Sequence, residues 1–221
     1  MIYIYNMKYT LLDSEKKHKK EYEIGRFLLK KGLKDLYGIE LEFEDLENFI
    51  IKNKHGKPSF KDIPKNRFDI EPKKYNGIFF NISHSANLVV CAFYDKEIGV
   101  DIEKIDNFNS LIIRKILTDK EKVYLEQYRH NEEEFKKIFF SFWTLKESYL
   151  KCKGSGFSKN PLDIEFLITG NSISCNDENV SLIQDVFFEN YILSLCFEKK
   201  ETPIKENIIY VEINEKLIFK H

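Results

Sequence analysis

Apolar and polar residues alternate at the start of the chain, and Ile2 to Tyr5 predicts a short strand. From Lys16 to Leu36 the period changes. Ile24, Phe27, Leu28 and Leu33 recur near helical spacing, and Gly38 supplies a stop. Ile39 to Ile51 carries both patterns: Ile39, Leu41 and Phe43 alternate with glutamates, whereas Leu46, Phe49 and Ile50 look helical. Gly56-Lys57-Pro58 is a turn, and the stretch from Lys61 to Asn76, with Pro64 and Pro72, reads as surface loop. Ile78 to Ile82, Leu88 to Tyr94 and Ile98 to Ile102 read as strands, the last two joined as a hairpin through Asp95-Lys96-Glu97. Ser110 to Leu117 and Asp119 to Arg129 read as helical, with Thr118 as N-cap of the second part. His130 to Glu134 connects to a long helix from Phe135 to Lys151. Ile164 to Ile168, Val186 to Phe188, Tyr191 to Phe197 and Ile208 to Ile213 are strand-like.

The pattern repeats faintly. The run from Asn87 to Phe93 resembles the run from Asn190 to Phe197, and each half places a helix before its strands. This predicts an α+β fold of two similar halves packed together.

With 221 residues, 43% of them hydrophobic, the chain can bury one large core or two small ones. Charged residues make up 32%, but the net charge is only −1. That excludes the global basic field of a nucleic-acid binder. No apolar run approaches the roughly 18 residues that span a bilayer, and the N-terminus lacks a signal-peptide pattern. The expected location is the cytoplasm. Cys91, Cys152, Cys175 and Cys196 are widely spaced with no CxxC pair, and read as small buried thiols in a reducing compartment.

Three segments carry candidate chemistry. Asp101 and Glu103 stand at i and i+2 of a predicted strand, so both carboxylates reach from one face toward one hard cation. On the long helix, Glu147 and Lys151 lie one turn apart at the edge of an aromatic stripe that includes Phe139, Trp143 and Leu150. Lys146 falls inside that stripe and needs a partner there. Asn81-Ile82-Ser83-His84-Ser85 ends a strand with two hydroxyls and an imidazole that suit phosphate oxygens. Lys16, Lys17, Lys19 and Lys20 form a cationic cluster.

In order, Gly56-Lys57-Pro58, the segment 81–85, Ile98-Gly99-Val100-Asp101-Ile102-Glu103, and Phe142 to Lys153 with Gly154 and Gly156 resemble the signature set of 4′-phosphopantetheinyl transferases. Asn160-Pro161-Leu162-Asp163 continues the likeness, and the length and layout resemble the larger, surfactin-synthetase-activating (Sfp-type) class. The resemblance implies two halves related by a pseudo-twofold axis, with the active site in the cleft between them. Residues 1–97 would form the coenzyme A adenine and 3′-phosphate side, and residues 98–221 would carry the metal motifs. It implies Mg²⁺-dependent transfer of 4′-phosphopantetheine from coenzyme A to a serine of an acyl or peptidyl carrier protein, by a monomer that binds neither nucleic acid nor membrane. Asp101, Glu103 and Glu147 would be the metal ligands. Gly56, Lys57, Pro58, Ser83, His84 and Lys151 would hold coenzyme A. Glu147, Lys151 and Asp101 would carry catalysis, with Glu147 taking the serine proton. The first segment is short for this class, so Lys16, Lys17, Lys19 and Lys20 would replace its usual basic grip on the 3′-phosphate. Two other readings use the same residues: a magnesium hydrolase of coenzyme A or a nucleotide diphosphate, and a binding module without turnover.

Overall fold

The run Leu88–Tyr94 is buried along its whole length, which requires neighbours on both edges and both faces. The computed structural model describes residues 1–11, 16–61, 77–170, 172–200 and 207–215 and supplies them. Its strands are β1 (Ile2–Lys8), β2 (Ile50–Lys52), β3 (Pro58–Phe60), β4 (Phe79–Ser85), β5 (Leu88–Tyr94), β6 (Ile98–Lys104), β7 (Phe166–Thr169), β8 (Ser172–Cys175), β9 (Val180–Phe187), β10 (Tyr191–Glu198) and β11 (Ile208–Glu212). Its helices are α1 (Lys17–Tyr37), α2 (Phe43–Phe49), α3 (Ile113–Ile116), α4 (Asp119–Glu126) and α5 (Glu132–Lys153).

One sheet has the order β11-β1-β5-β4 and a second β6-β10-β9; β2–β3 and β7–β8 are separate hairpins. The two larger sheets repeat one topology. In chain order β1, α1, β4, β5 give strand order β1-β5-β4, and β6, α5, β9, β10 give β6-β10-β9. The sequence echo therefore marks the central strands β5 and β10, and the fold is α+β in two similar halves. β11, from the far end of the chain, runs parallel to β1 and extends the first sheet.

The strand period sorts the side chains into layers. Val89, Cys91 and Phe93 face α1 with Tyr5, Met7, Leu28 and Leu29. Leu88, Val90, Ala92 and Tyr94 meet Ile98, Val100, Ile102, Leu193 and Leu195 between the sheets. That burial leaves Gly99, Asp101 and Glu103 of β6 on the face toward α5.

The expected hairpin between Leu88–Tyr94 and Ile98–Ile102 does not form. β5 pairs with β1 on one edge and β4 on the other, so it has no edge left for β6. Residues 95–97 instead carry the chain from one sheet to the next. The tight hairpin is β4–β5, closed by Ala86-Asn87 with Ala86 at φ 50°. The ambiguous stretch divides at Phe49: helix α2, then strand β2. The long helix starts earlier than predicted, at Glu132, where Asn131 accepts the Glu134 N–H. Strand β8 had no apolar run to announce it, because serines alternate with Ile173 and Cys175. Thr118 caps α4 in a reciprocal capping box with Glu121. Residues 62–76 lie outside the described residues. Among the described residues no helix is long and apolar enough to cross a membrane.

Candidate active site

β4 and β6 are the facing edges of the two sheets, and no backbone ladder joins them. Buried backbone donors at such an edge need other partners. Val100 N–H donates to Asn81 Oδ1 (3.0 Å), Ile102 N–H to Ser83 Oγ (3.3 Å) and Lys104 N–H to Ser85 Oγ (3.1 Å). The candidate site is built on this seam.

Asp101 is almost fully buried. Its Oδ1 accepts from Ser83 Oγ at 2.9 Å and from Lys151 Nζ at 2.6 Å, while its Oδ2 has no hydrogen-bond partner. Lys151 also donates to Ser83 Oγ at 3.0 Å. Glu103 accepts from Ser85 Oγ at 2.6 Å. Glu147 projects from α5 one turn before Lys151.

Helix α5 reaches this position because residue 99 has no side chain. A Cβ on Gly99 would lie 2.0 Å from Ser148 O and 2.3 Å from Cys152 N, so the helix backbone rests directly on β6. Beyond the helix, Gly154 caps α5 at φ 61°. Asn53 Nδ2 donates to Gly154 O at 2.8 Å, and its Oδ1 accepts the N–H groups of His55 and Lys57. The Gly56-Lys57-Pro58 turn is thereby docked on the C-terminal end of α5. Lys57 Nζ donates to Cys152 O at 2.9 Å and pairs with Glu97.

The carboxylates resist charge. Burial pushes the Asp101 carboxyl upward, against the pull of Lys151 and Ser83. Burial also raises Glu103, as does Asp101, while Ser85 and Lys151 oppose them. Glu147 is pushed up to about 7, first by burial and then by the charges of Asp101 and Glu103. Three mutually repelling carboxylates with one orphaned buried oxygen form a set that a hard cation would relieve. As placed, however, no group of three such side chains among the described residues closes on one ion position.

His84 points to the other face of β4. Its Nδ1 lies 3.3 Å from Glu21 Oε1 on α1, and Tyr9 O–H donates to the same oxygen at 3.1 Å. Burial lowers its pKa; Glu21 opposes this and Lys151 adds to it. Within the lysine cluster, Lys20 is buried and bound to Thr10 O and Glu215, whereas Lys17 and Lys19 make helical pairs with Glu21 and Glu23. Arg26 pairs with Glu47 on α2 and stacks over Tyr22, away from the seam. Lys146 also lies outside the site. It is buried against Glu121 at 2.8 Å, with Pro161 O and Ile164 O as further acceptors. All four cysteines are free, and Cys91, Cys152 and Cys196 are buried.

The structure joins Asp101, Ser83 and Lys151 by hydrogen bonds and places Glu103 and Glu147 near them, whereas the sequence pattern by itself joined only Asp101 with Glu103 and Glu147 with Lys151. Sequence reasoning missed Glu21, whose contact with His84 is purely tertiary. It also missed the seam role of Asn81, for which the alternation of Asn81, Ser83 and Ser85 was an available signal.

Acidic side chains from β6 and α5 thus stand beside a lysine at the seam of two α+β halves. Comparison with known proteins narrows the class. Residues 97–196 match the family model of the 4′-phosphopantetheinyl transferase superfamily. The chain is 32% identical to 4′-phosphopantetheinyl transferase gsp of Aneurinibacillus migulanus, over 78% of this chain and 66% of that protein. It is 33% identical to 4′-phosphopantetheinyl transferase HetI of Nostoc sp., over 69% and 59% of the two chains. It is 34% identical to 4′-phosphopantetheinyl transferase Sfp of Bacillus subtilis, over 49% and 42%. The chain thus spans less than two thirds of these relatives. A crystal structure of Thermotoga maritima holo-[acyl-carrier-protein] synthase matches with a TM-score of 0.39 and 20% identity, over 47% of this chain and 64% of that one. Residues 97–196, which include Asp101, Glu103, Glu147 and Lys151, thus carry the signature of the 4′-phosphopantetheinyl transferase superfamily.

Proposed function

We propose that this protein transfers the 4′-phosphopantetheine group of coenzyme A to a serine of an acyl or peptidyl carrier protein, with release of adenosine 3′,5′-bisphosphate. The observation that carries this reading is the buried, unpartnered Asp101 Oδ2 beside Lys151, with Glu147 near enough for Asp101 and Glu103 to raise its carboxyl. The all-oxygen chemistry of that set suits Mg²⁺, which Asp101, Glu103 and Glu147 would hold. When bound, it neutralises diphosphate charge.

The protein groups divide the remaining work. Lys151 and Ser83 bind phosphates of coenzyme A at the seam and His84 binds them from the α1 face of β4, and Lys57, with Gly56 and Pro58, lines the end of that site beside the α5 terminus. Lys16, Lys17 and Lys19 meet the 3′-phosphate. The carrier serine oxygen attacks the β-phosphorus on the pantetheine side of the diphosphate. The bond from that phosphorus to the bridging oxygen breaks, and the nucleotide leaves with the electron pair. Glu147 accepts the serine proton. Lys151 stabilises the charge on the leaving phosphate. Phosphoryl transfer needs mainly positioning and electrostatics, which rigid donors at a seam provide.

Both halves of the site come from one chain, which supports action as a monomer. Free cysteines and a net charge of −1 support a cytoplasmic enzyme that binds neither membrane nor nucleic acid. The test is the intact mass of an apo carrier protein after incubation with this protein, coenzyme A and magnesium, with and without chelator. A metal-dependent gain of one phosphopantetheine group is expected. No gain across acyl and peptidyl carriers would overturn the reading. Cleavage of coenzyme A without carrier would favour a hydrolase.

A further inference from the structure

The side-chain ladder on the seam does two things at once. Its acceptors, Asn81, Ser83 and Ser85, stand at i, i+2 and i+4 of β4 and match the pitch of the unpaired β6 edge. Each serine hydroxyl has one proton left to give. Ser83 gives it to Asp101 at 2.9 Å and Ser85 to Glu103 at 2.6 Å. In both cases the recipient carboxylate sits one residue before the N–H that the hydroxyl accepts. With the oxygen lone pair fixed by the backbone, the hydroxyl cannot turn away without losing that bond. The carboxylate is therefore held from the opposite half of the molecule as well as from α5, which supplies Lys151 to Asp101 and Trp143 to Glu103.

Ser83 stands beside Lys151 and belongs to the site already described. Ser85 stands one pair further along the ladder, clamped between Lys104 N–H and Glu103. The geometry points to Ser85 as a positioning residue: it holds Glu103, a side chain with three rotatable bonds, on the face of β6 that carries Asp101, from which it would serve as a cation ligand. This inference rests on the metal assignment proposed above. Asn81 occupies the equivalent ladder position with no carboxylate attached, because residue 99 is glycine. It is the internal control.

The test measures magnesium binding to the full chain by calorimetry, alongside carrier modification, for the wild type, Ser85→Ala, Ser85→Thr and Asn81→Ala. Outer partners of metal ligands typically govern about 10–100-fold in affinity. Ser85→Ala is expected to weaken magnesium by about that factor and to raise the magnesium needed for half-maximal transfer in parallel. Ser85→Thr, which keeps the hydroxyl, should stay within about 3-fold of wild type on the same scale. Asn81→Ala should lower the melting temperature while leaving magnesium affinity nearly unchanged. Unaltered binding by Ser85→Ala would overturn the inference, and so would equal weakening by Asn81→Ala. Absence of magnesium binding by the wild type would overturn it as well. Wild-type protein that binds magnesium but modifies no carrier would defeat the transferase reading alone, with the role of Ser85 still decided by the binding data.

Discussion

Lys146 and Lys151 stand on neighbouring turns of helix α5, and their surroundings differ in kind. Lys146 is sealed in the core, yet every group around it is matched. Its ammonium meets Glu121, Pro161 O and Ile164 O, and Glu121 also accepts the N–H groups of Thr118 and Phe166. Lys151 is partly exposed and faces a surplus of negative charge from Asp101, Glu103 and Glu147, with Asp101 Oδ2 unpartnered. A saturated buried pair fixes a structure and has nothing left to offer a ligand. An unsaturated cluster stores unfavourable energy that a bound cation and an anionic substrate can release. Burial alone therefore does not separate structural from functional charges; the count of unmet valences does.

The largest effect should follow from breaking the saturated pair. Lys146→Ala strands Glu121 as an uncompensated buried charge, and loss of one partner typically costs about 3–5 kcal/mol. Thermal unfolding should show a melting temperature lower by roughly 6–20 °C. A change within a degree or two would mean the pair is better solvated than the packing indicates.

Next comes removal of one charge from the unsaturated cluster. Glu147→Gln should reduce transfer to a carrier by about 100-fold or more, equivalent to roughly 3 kcal/mol of transition-state stabilisation. Single-turnover assays would detect this with the fold intact. Near-normal turnover would remove both its base and its metal assignments.

A smaller effect should come from Gly99→Ala. The new methyl would fall 2.0 Å from Ser148 O, on helix backbone that cannot swing aside. Overpacking of this kind costs about 1–3 kcal/mol. It should also shift Glu147 and Lys151 away from Asp101, so transfer should fall more than the loss of stability alone implies. Denaturant unfolding and initial rates on the same preparation would separate the two.

Much of this was legible in the chain. The i, i+2 spacing placed Asp101 and Glu103 on one face, and the i, i+4 spacing placed Glu147 beside Lys151, because both periods are properties of the local backbone. The stripe around Lys146 likewise showed that it needs a partner. What sequence could not supply was the partner. Glu121 lies on a different helix, and Glu21 reaches His84 from α1. The misplaced hairpin has the same origin. Leu88–Tyr94 reads as a strand from its composition, but which strands flank it depends on the competition of β1, β4 and β6 for two edges. The dual duty of Ser83 and Ser85 was hidden because the β6 edge that engages them exists only after the halves meet.

The most direct test of the contrast is the melting temperature of metal-free Glu147→Gln against wild type at pH 8 and at pH 5. The Glu147 carboxyl is raised in the fold from 4.5 to about 7. Between those values the folded protein holds a proton that the unfolded chain releases, so this group's contribution to stability is present at low pH and is lost as pH rises through about 7. The account predicts that the variant is the more stable protein at pH 8, by about 2–3 kcal/mol or roughly 4–12 °C, with most of the gap closed at pH 5. A variant that melts at or below the wild type at pH 8 would contradict it, because Glu147 would then be a satisfied structural charge like Glu121.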